Sequence, residues 1–187
     1  MKILVIGGSG FLGSHVADQL SLVGHEVRIF DRVASPWLRG DQTMLIGHLL
    51  NFQHVVDAMV GCEVVYNFAA IADLDEALDK PVETARVNVL GNVQVLEACR
   101  QAAVKRYVYA STVYVYSREG GFYRCSKQAA EQYVEEYQRS YGLDYTILRY
   151  GSLYGPRDDE RNGLWRIVKK ALETGCASPR QDIHDQD

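Results

Sequence analysis

Tyr123 and Lys127 stand four residues apart in a segment whose pattern predicts a helix, so their side chains share one face. A tyrosine phenol has a pKa of about 10 and is a poor base at neutral pH. A nearby ammonium favours the phenolate and lowers that pKa, which would let Tyr123 remove a proton from a hydroxyl group. The alternative is a surface lysine beside a half-buried tyrosine, and it stays open because the chain has 12 tyrosines.

Thr112 follows Ser111 at the end of a predicted strand, upstream of this pair. Its hydroxyl could hold a substrate hydroxyl by a hydrogen bond while Tyr123 takes the proton. Loss of that proton oxidises the substrate when a hydride leaves the carbon that bears the hydroxyl and passes to an acceptor. The chemistry therefore requires a cofactor site elsewhere in the chain.

The N-terminal segment has the pattern of a strand, a glycine turn and a helix. Residues 2–6 form a short apolar run typical of a buried strand, and Gly7, Gly10 and Gly13 follow it. Gly7 permits a tight turn, Gly10 lets the backbone approach phosphates, and Gly13 lets the helix pack close to the strand. The helix N-terminus then offers free N–H groups to an anion. The pattern predicts a dinucleotide site, and an ordinary tight turn is the alternative.

Asp31 directly follows the second predicted strand, residues 26–30. A carboxylate at this point is placed to accept hydrogen bonds from the two ribose hydroxyls of adenosine, and it would repel a 2′-phosphate. The sequence therefore predicts NAD in preference to NADP. Arg32 is a counter-argument, because an arginine can pair with that phosphate.

Strands and helices alternate along the chain, and no hairpin signal interrupts them. The predicted strands are 2–6, 26–30, 43–46, 63–68, 105–110 and 144–148, and the predicted helices are 11–23, 52–60, 81–100, 123–141 and 163–174. This alternation predicts an α/β fold, a doubly wound parallel sheet of the Rossmann kind with right-handed crossovers. Ligands of such sheets bind at the carboxyl ends of the strands. The segments expected at that edge are the glycine turn, Asp31, residues 69–72, Ser111–Thr112 and Tyr150–Gly151.

The composition of the chain disfavours several classes of function. The 187 residues suit one domain, 1–174, with a short polar tail, 175–187. A net charge of −4 without a basic block disfavours nucleic acid as a partner. The chain has no apolar run long enough for a bilayer and no export signal, so a cytoplasmic protein is expected. Its four cysteines are widely spread, which favours free thiols and predicts no metal site.

Seven segments, taken together, resemble an extended short-chain dehydrogenase/reductase of the NAD-dependent epimerase/dehydratase type. The resemblance covers residues 1 to 174, and the motifs occur in family order. They are Gly7-Gly-Ser-Gly10-Phe-Leu-Gly13, Asp31, Asn67-Phe-Ala69-Ala70, Asn88 in Val87-Asn-Val-Leu-Gly91-Asn, Ser111-Thr112, Tyr123-Arg-Cys-Ser-Lys127 and Leu148-Arg-Tyr-Gly-Ser-Leu-Tyr-Gly155-Pro156.

This resemblance implies a catalytic triad of Thr112, Tyr123 and Lys127 and nucleotide-activated sugars as substrates. It also implies a set of residues that contact or support NAD. They are Gly7, Gly10, Phe11, Leu12, Gly13, Asp31, Arg32, His48, Leu49, Phe68, Ala69, Ala70, Asn88, Ala110, Ser111, Tyr123, Lys127, Tyr150 and Gly151.

Two departures from the family pattern bear on function. Val113-Tyr114 follows Thr112 where sugar dehydratases carry an acidic pair, so an epimerase is favoured over a 4,6-dehydratase. The chain also stops where the substrate-binding region of the family would continue, so most of that region is expected to be missing. Two hypotheses follow: an NAD-dependent epimerase acting on a nucleotide sugar, or an NAD-binding module with little or no sugar turnover.

A homodimer is also expected. The predicted helices 82–100 and 123–141 carry apolar residues beyond one narrow stripe, namely Val87, Leu90, Tyr133 and Tyr137. Two such helices per subunit could form an isologous four-helix contact, as the resembled family commonly does. The alternative is that these residues only cover the sheet.

Overall fold

The computed structural model describes residues 1–160 and 162–175, and within them lies one six-stranded parallel sheet flanked by helices. The strand order is β3-β2-β1-β4-β5-β6, which confirms the predicted doubly wound fold. The strands are β1 (Lys2–Ile6), β2 (Glu26–Asp31), β3 (Gln42–Ile46), β4 (Val64–Asn67), β5 (Arg106–Thr112) and β6 (Asp144–Tyr150). The α-helices are α1 (Phe11–Leu22), α2 (Phe52–Met59), α3 (Leu74–Asp79), α4 (Pro81–Ala85), α5 (Gly91–Gln101), α6 (Gly121–Tyr141) and α7 (Gly163–Thr174).

The side chains of β1 alternate between two apolar clusters, one on each face of the sheet. Leu4 and Ile6 belong to the larger cluster, which also contains buried residues of α2, α5 and α6. Ile3 and Val5 belong to the smaller cluster, together with Ala17 of α1. A parallel strand that is covered on both faces is apolar where it is buried, which explains the unbroken apolar run at residues 3–6.

The single helix predicted over residues 81–100 is wrong in its middle. Between α4 and α5 the chain forms one π-helical turn, Arg86–Leu90. Such a turn inserts an extra residue into the helical repeat and often occurs at functional sites. Here it contains Asn88, whose side chain is buried. Sequence periodicity does not reveal the turn, because the apolar spacing on either side remains helical.

The structure also differs from the predicted elements at α3, at the ends of β5 and β6, and directly after β5. The helix α3 was not predicted, although Asp73 caps it by accepting a hydrogen bond from the Glu76 amide at 2.8 Å. The strands β5 and β6 each run two residues beyond their predicted ends, because their pairing continues to Thr112 opposite Tyr150. A 3-10 turn, Val113–Tyr116, follows β5 directly.

The chain divides into two compact units, residues 1–151 and 152–187. The first holds the sheet, and the second holds α7, which begins after Asn162 as predicted. The predicted tail lies outside the described residues except for Gly175, so the boundary at residue 174 stays a prediction. Cys62, Cys99 and Cys125 are free, and Cys176 is also outside the described part. No helix among the described residues is long and apolar enough to cross a membrane.

Candidate active site

The glycine turn lies at the switch point of the sheet, between β1 and β4. Gly7 has a φ of +78°, and a Cβ atom there would come within 2.7 Å of the Ala69 amide nitrogen. At Gly13 a Cβ atom would come within 2.2 Å of the Gly7 carbonyl oxygen. Only glycine fits either position, because backbone occupies the space of the side chain. The turn, the start of α1 and the segment after β4 are therefore packed together at one edge.

Gly10 is different, since nothing in the chain requires it to be glycine. It is exposed, its φ of −80° suits any residue, and a Cβ atom would meet only the Gly7 oxygen at 3.4 Å. The start of α1 has no side-chain cap and no acid in its first turn, so its N–H groups remain available to an anion. Phe11 and Leu12, in that turn, are half-exposed. These features fit a bound pyrophosphate that passes close to the backbone at Gly10.

Asp31 is held in place by backbone amides. Its Oδ2 atom accepts a hydrogen bond from the Ser9 amide at 3.0 Å, and Oδ1 accepts one from the Arg32 amide at 2.7 Å. Oδ1 also accepts a longer hydrogen bond from the Val33 amide at 3.4 Å. The carboxylate thus connects the end of β2 to the glycine turn, and Oδ2 retains a further lone pair for a ribose hydroxyl. The Arg32 side chain is exposed.

His48 and Leu49, two of the residues expected to contact or support NAD, differ in their exposure. His48 is exposed, and its Nδ1 atom accepts a hydrogen bond from the Leu50 amide at 3.2 Å. The Leu49 side chain is buried in the larger cluster, against the backbone of Gly91. Leu49 therefore presents only its backbone for a cofactor contact. On the other side of the edge, Phe68 and Ala70 are half-buried after β4.

Asn88 joins three elements near the edge. Its side chain accepts a hydrogen bond from the Ile71 amide at 2.8 Å and donates to the Ile71 carbonyl at 2.9 Å. It also donates to Ser126 Oγ at 2.9 Å, and Ser126 donates to the Tyr123 carbonyl at 2.7 Å. The π-helical turn thus fixes both the segment after β4 and the first turn of α6. Asn88 lies in a supporting position, and Ser126 is a partner that the sequence analysis did not identify.

The predicted triad comes together where β5 meets α6. Thr112 and Lys127 are buried, and Tyr123 is half-buried. Tyr123 lies within hydrogen-bonding reach of the Thr112 side chain. The Lys127 ammonium donates to the Ala110 carbonyl at 2.7 Å and lies 5.7 Å from the centre of the Tyr123 ring. Tyr150 and Gly151 end the neighbouring strand, where Tyr150 pairs with Thr112.

The pKa values of Tyr123 and Lys127 differ from the expectation that the ammonium would lower the pKa of the phenol. Burial raises the pKa of Tyr123 to about 12, a nearby Tyr114 adds to this, and the hydrogen bond with Thr112 opposes it. Burial lowers the pKa of Lys127 to about 7. With a pKa of about 12, Tyr123 is a neutral phenol at neutral pH unless a positive charge is added beside it.

Glu131, whose carboxylate is buried, and Arg149, which is more exposed, form an ion pair that the sequence pattern did not indicate. Glu131 lies one turn beyond Lys127 on α6 and forms an ion pair of 2.7 Å with Arg149 of β6. The spacing of four residues between Lys127 and Glu131 places both side chains on one face, but it does not indicate Arg149 as the partner of Glu131.

A switch point with a glycine turn, and a tyrosine–lysine pair at the same edge, define a dinucleotide-binding α/β protein. Residues 3–179 match the NAD-dependent epimerase/dehydratase family. The chain belongs to that family, whose cofactor is NAD.

Several relatives are named as enzymes of nucleotide sugars. A putative UDP-glucose 4-epimerase of Methanocaldococcus jannaschii is 30% identical over 85% of this chain and 58% of that protein. The crystal structure of the Thermotoga maritima UDP-glucose 4-epimerase with UDP-glucose aligns with a TM-score of 0.85 at 29% identity, over 92% of this chain and 63% of the other. The Thermus thermophilus UDP-glucose 4-epimerase in complex with NAD aligns with a TM-score of 0.84 at 33% identity, over 92% and 63%. The chain thus spans less than two thirds of each of these three relatives.

Proposed function

We propose that this protein is an NAD-dependent epimerase of the oxidoreductase type that acts on a nucleotide sugar. The observation that carries the proposal is the convergence of Thr112, Tyr123 and Lys127 at the edge that also holds the glycine turn. Sequence relatives named as UDP-glucose 4-epimerases support the same substrate class. We further propose that NAD lies across Gly7, Gly10 and Gly13, with its adenosine ribose on Asp31.

The residues divide the chemistry between them. When bound, NAD supplies the acceptor for the hydride of a sugar carbinol. Thr112 holds the carbinol hydroxyl, and Tyr123 takes its proton and later returns it to the same oxygen. Because burial raises the Tyr123 pKa to about 12, a positive charge must be near the phenol when the proton moves. The Lys127 ammonium, 5.7 Å from the ring centre, supplies part of that charge.

We favour epimerisation over 4,6-dehydration because of the residues that follow Thr112. Loss of water from a sugar requires a further acid and base beside the tyrosine. Val113 and Tyr114 occupy the two positions after Thr112, and Val113 has no titratable group. The assay is conversion of UDP-glucose to UDP-galactose by the NAD-loaded protein, with dTDP-, GDP- and CDP-sugars in parallel. A dehydrated keto sugar as product, or no conversion of any of these sugars, would overturn the proposal.

We expect the protein to bind NAD at least about tenfold more tightly than NADP, a difference of 1.4 kcal/mol. The Asp31 carboxylate would lie beside the 2′-phosphate of NADP, and like charges in contact are costly. Calorimetric titration with both cofactors measures the ratio. Asp31→Asn should reduce it, whereas Asp57→Asn, the same charge change at an exposed site on α2, should leave it unchanged. Equal or tighter binding of NADP by the unaltered protein would contradict the assignment.

We also propose a homodimer formed through an apolar groove on α4, α5, α6 and the π-helical turn. Leu90 and Tyr133 are 48% and 45% exposed in this groove. Val87 and Tyr137, by contrast, pack against the larger core cluster. For these two residues the alternative holds, namely that they cover the sheet. The groove residues are almost all apolar, which suits the same face of a second copy. They are Pro81, Val82, Ala85, Arg86, Val89, Leu90, Val93, Phe122 and Tyr133.

Sedimentation velocity tests the dimer. We expect the unaltered protein to sediment as a dimer at about 10 μM, a concentration within the range of ordinary association constants. Leu90→Glu should sediment as a monomer, because it places a charge in the middle of the contact. Leu22→Glu, which changes another exposed leucine at the end of α1, should remain a dimer. A monomeric unaltered protein would remove the proposal.

A further inference from the structure

A carboxylate one helical turn beyond Lys127 is buried, and both of its oxygens accept hydrogen bonds. Glu131 is 5% exposed, and its Oε1 atom accepts a hydrogen bond from the Ser111 hydroxyl at 2.5 Å. Arg149 donates to both oxygens of the same group, from Nε to Oε1 at 3.0 Å and from Nη2 to Oε2 at 2.7 Å. Arg149 also donates to the Tyr116 hydroxyl through Nη1. A fork of this kind is what a buried carboxylate needs, since an unpaired buried charge is strongly destabilising.

This carboxylate continues the series of contacts made by the catalytic residues. Tyr123, Lys127 and Glu131 follow at intervals of four residues and so lie along one face of α6. Each contacts one of three consecutive residues at the end of β5. The contacts are Tyr123 with Thr112, Lys127 with Ala110, and Glu131 with Ser111.

We propose that Glu131 is a positioning residue for the Tyr123–Lys127 pair: it docks α6 on the end of β5 and places a negative charge one helical turn beyond Lys127. The purpose of this arrangement rests on the proposed function, because a charged Lys127 matters only if Tyr123 must give up its proton. The arrangement itself is a property of the folded chain and can be measured without sugar or cofactor.

The charge of Lys127 is sensitive to its surroundings. Burial lowers its pKa to about 7, and the Glu131 carboxylate acts in the opposite direction. At neutral pH a lysine with this pKa is about half charged, so a fall of one unit would leave about a tenth of it charged. The titratable and charged groups around the Lys127–Glu131 pair are Tyr123 on α6, Tyr109 on β5, Arg149 on β6, and Tyr114 and Tyr116 on the 3-10 turn.

Titration of Lys127 by NMR tests the inference. The carbon next to the ammonium is labelled with ¹³C in all lysines, and the Lys127 signal is identified by its loss in Lys127→Arg. Glu131→Gln should lower the Lys127 pKa, because it removes the negative charge that raises this pKa. Glu135→Gln, the same change at an exposed position one turn further along α6, should leave it unchanged.

Two further variants distinguish an effect of the Glu131 charge on the Lys127 pKa from an effect of damage to the fold. Arg149→Met removes a positive charge from the cluster, so we expect the Lys127 pKa to rise, opposite in sign to Glu131→Gln. Glu131→Asp keeps the charge and should keep the Lys127 pKa near that of the unaltered protein. An unchanged Lys127 pKa in folded Glu131→Gln, or a fall of the same size in Arg149→Met, would overturn the inference. If Glu131→Gln does not fold, the Arg149→Met result decides alone.

These outcomes are distinguishable from failure of the proposed function. If the Lys127 titration responds as expected while no nucleotide sugar is converted, then Glu131 positions the pair but the proposed reaction is wrong. If sugar is converted while the titration does not respond, the reaction stands and the role of Glu131 is wrong.

Discussion

Tyr123→Phe is expected to lower the rate of sugar conversion by about 10²–10⁴-fold, the usual contribution of a positioned acid–base group. The substitution removes only the hydroxyl that lies within reach of Thr112 and leaves the aromatic ring near Lys127. Affinity for NAD should therefore change by less than about tenfold, or 1.4 kcal/mol. The measurements are the rate of UDP-glucose conversion and a calorimetric titration with NAD.

Tyr133→Phe is the matched control for this variant. It removes a hydroxyl from the same helix, α6, but at an exposed position in the groove. We expect its conversion rate to be close to that of the unaltered protein. A Tyr123→Phe protein that retains the unaltered rate would show that another group moves the proton.

Alanine at Gly10 and alanine at Gly13 are expected to fail in different ways. At Gly13 the new Cβ atom would lie 2.2 Å from the Gly7 carbonyl oxygen. Overpacking of this kind costs about 1–3 kcal/mol or more, so Gly13→Ala should unfold at a lower temperature and also bind NAD poorly. At Gly10 the closest atom is 3.4 Å away, and the loss of stability should stay below about 1 kcal/mol, the scale of a helix N-cap change.

Gly10→Ala should nevertheless weaken NAD binding by at least about tenfold, because its methyl group occupies the space proposed for the pyrophosphate. Thermal unfolding and NADH fluorescence titration measure the two effects separately. Gly40→Ala, where nothing lies within 4 Å of the added Cβ atom, is the control for both. NAD affinity that is undiminished in Gly10→Ala would place the pyrophosphate elsewhere.

The sheet was predictable from the sequence because its signals are local. The apolar run at residues 2–6 and the glycine turn specify a buried strand followed by a tightly packed helix. Alternation of such units allows few topologies, since parallel crossovers are right-handed. The edge that gathers Gly7, Asp31, Thr112 and Tyr150 follows from that topology alone.

The supporting parts of the candidate site were not predictable in the same way. The π-helical turn leaves the apolar spacing of its helix unchanged, so the inward position of Asn88 is visible only once Ile71 and Ser126 are in place. The pairing of Glu131 with Arg149 joins residues 18 positions apart in the chain, and nothing in either local sequence specifies it. The pKa of Tyr123 depends on burial, which is a property of the packed structure.

The central claim is that Tyr123 works at a redox site formed with bound NAD, and one measurement addresses it most directly. UDP-glucose is added to the NAD-loaded protein, and the absorbance of reduced nicotinamide is followed with time. Our account predicts a rise in the unaltered protein and no rise in Tyr123→Phe. No rise in the unaltered protein while NAD and UDP-glucose are both bound, or an equal rise in Tyr123→Phe, would contradict it.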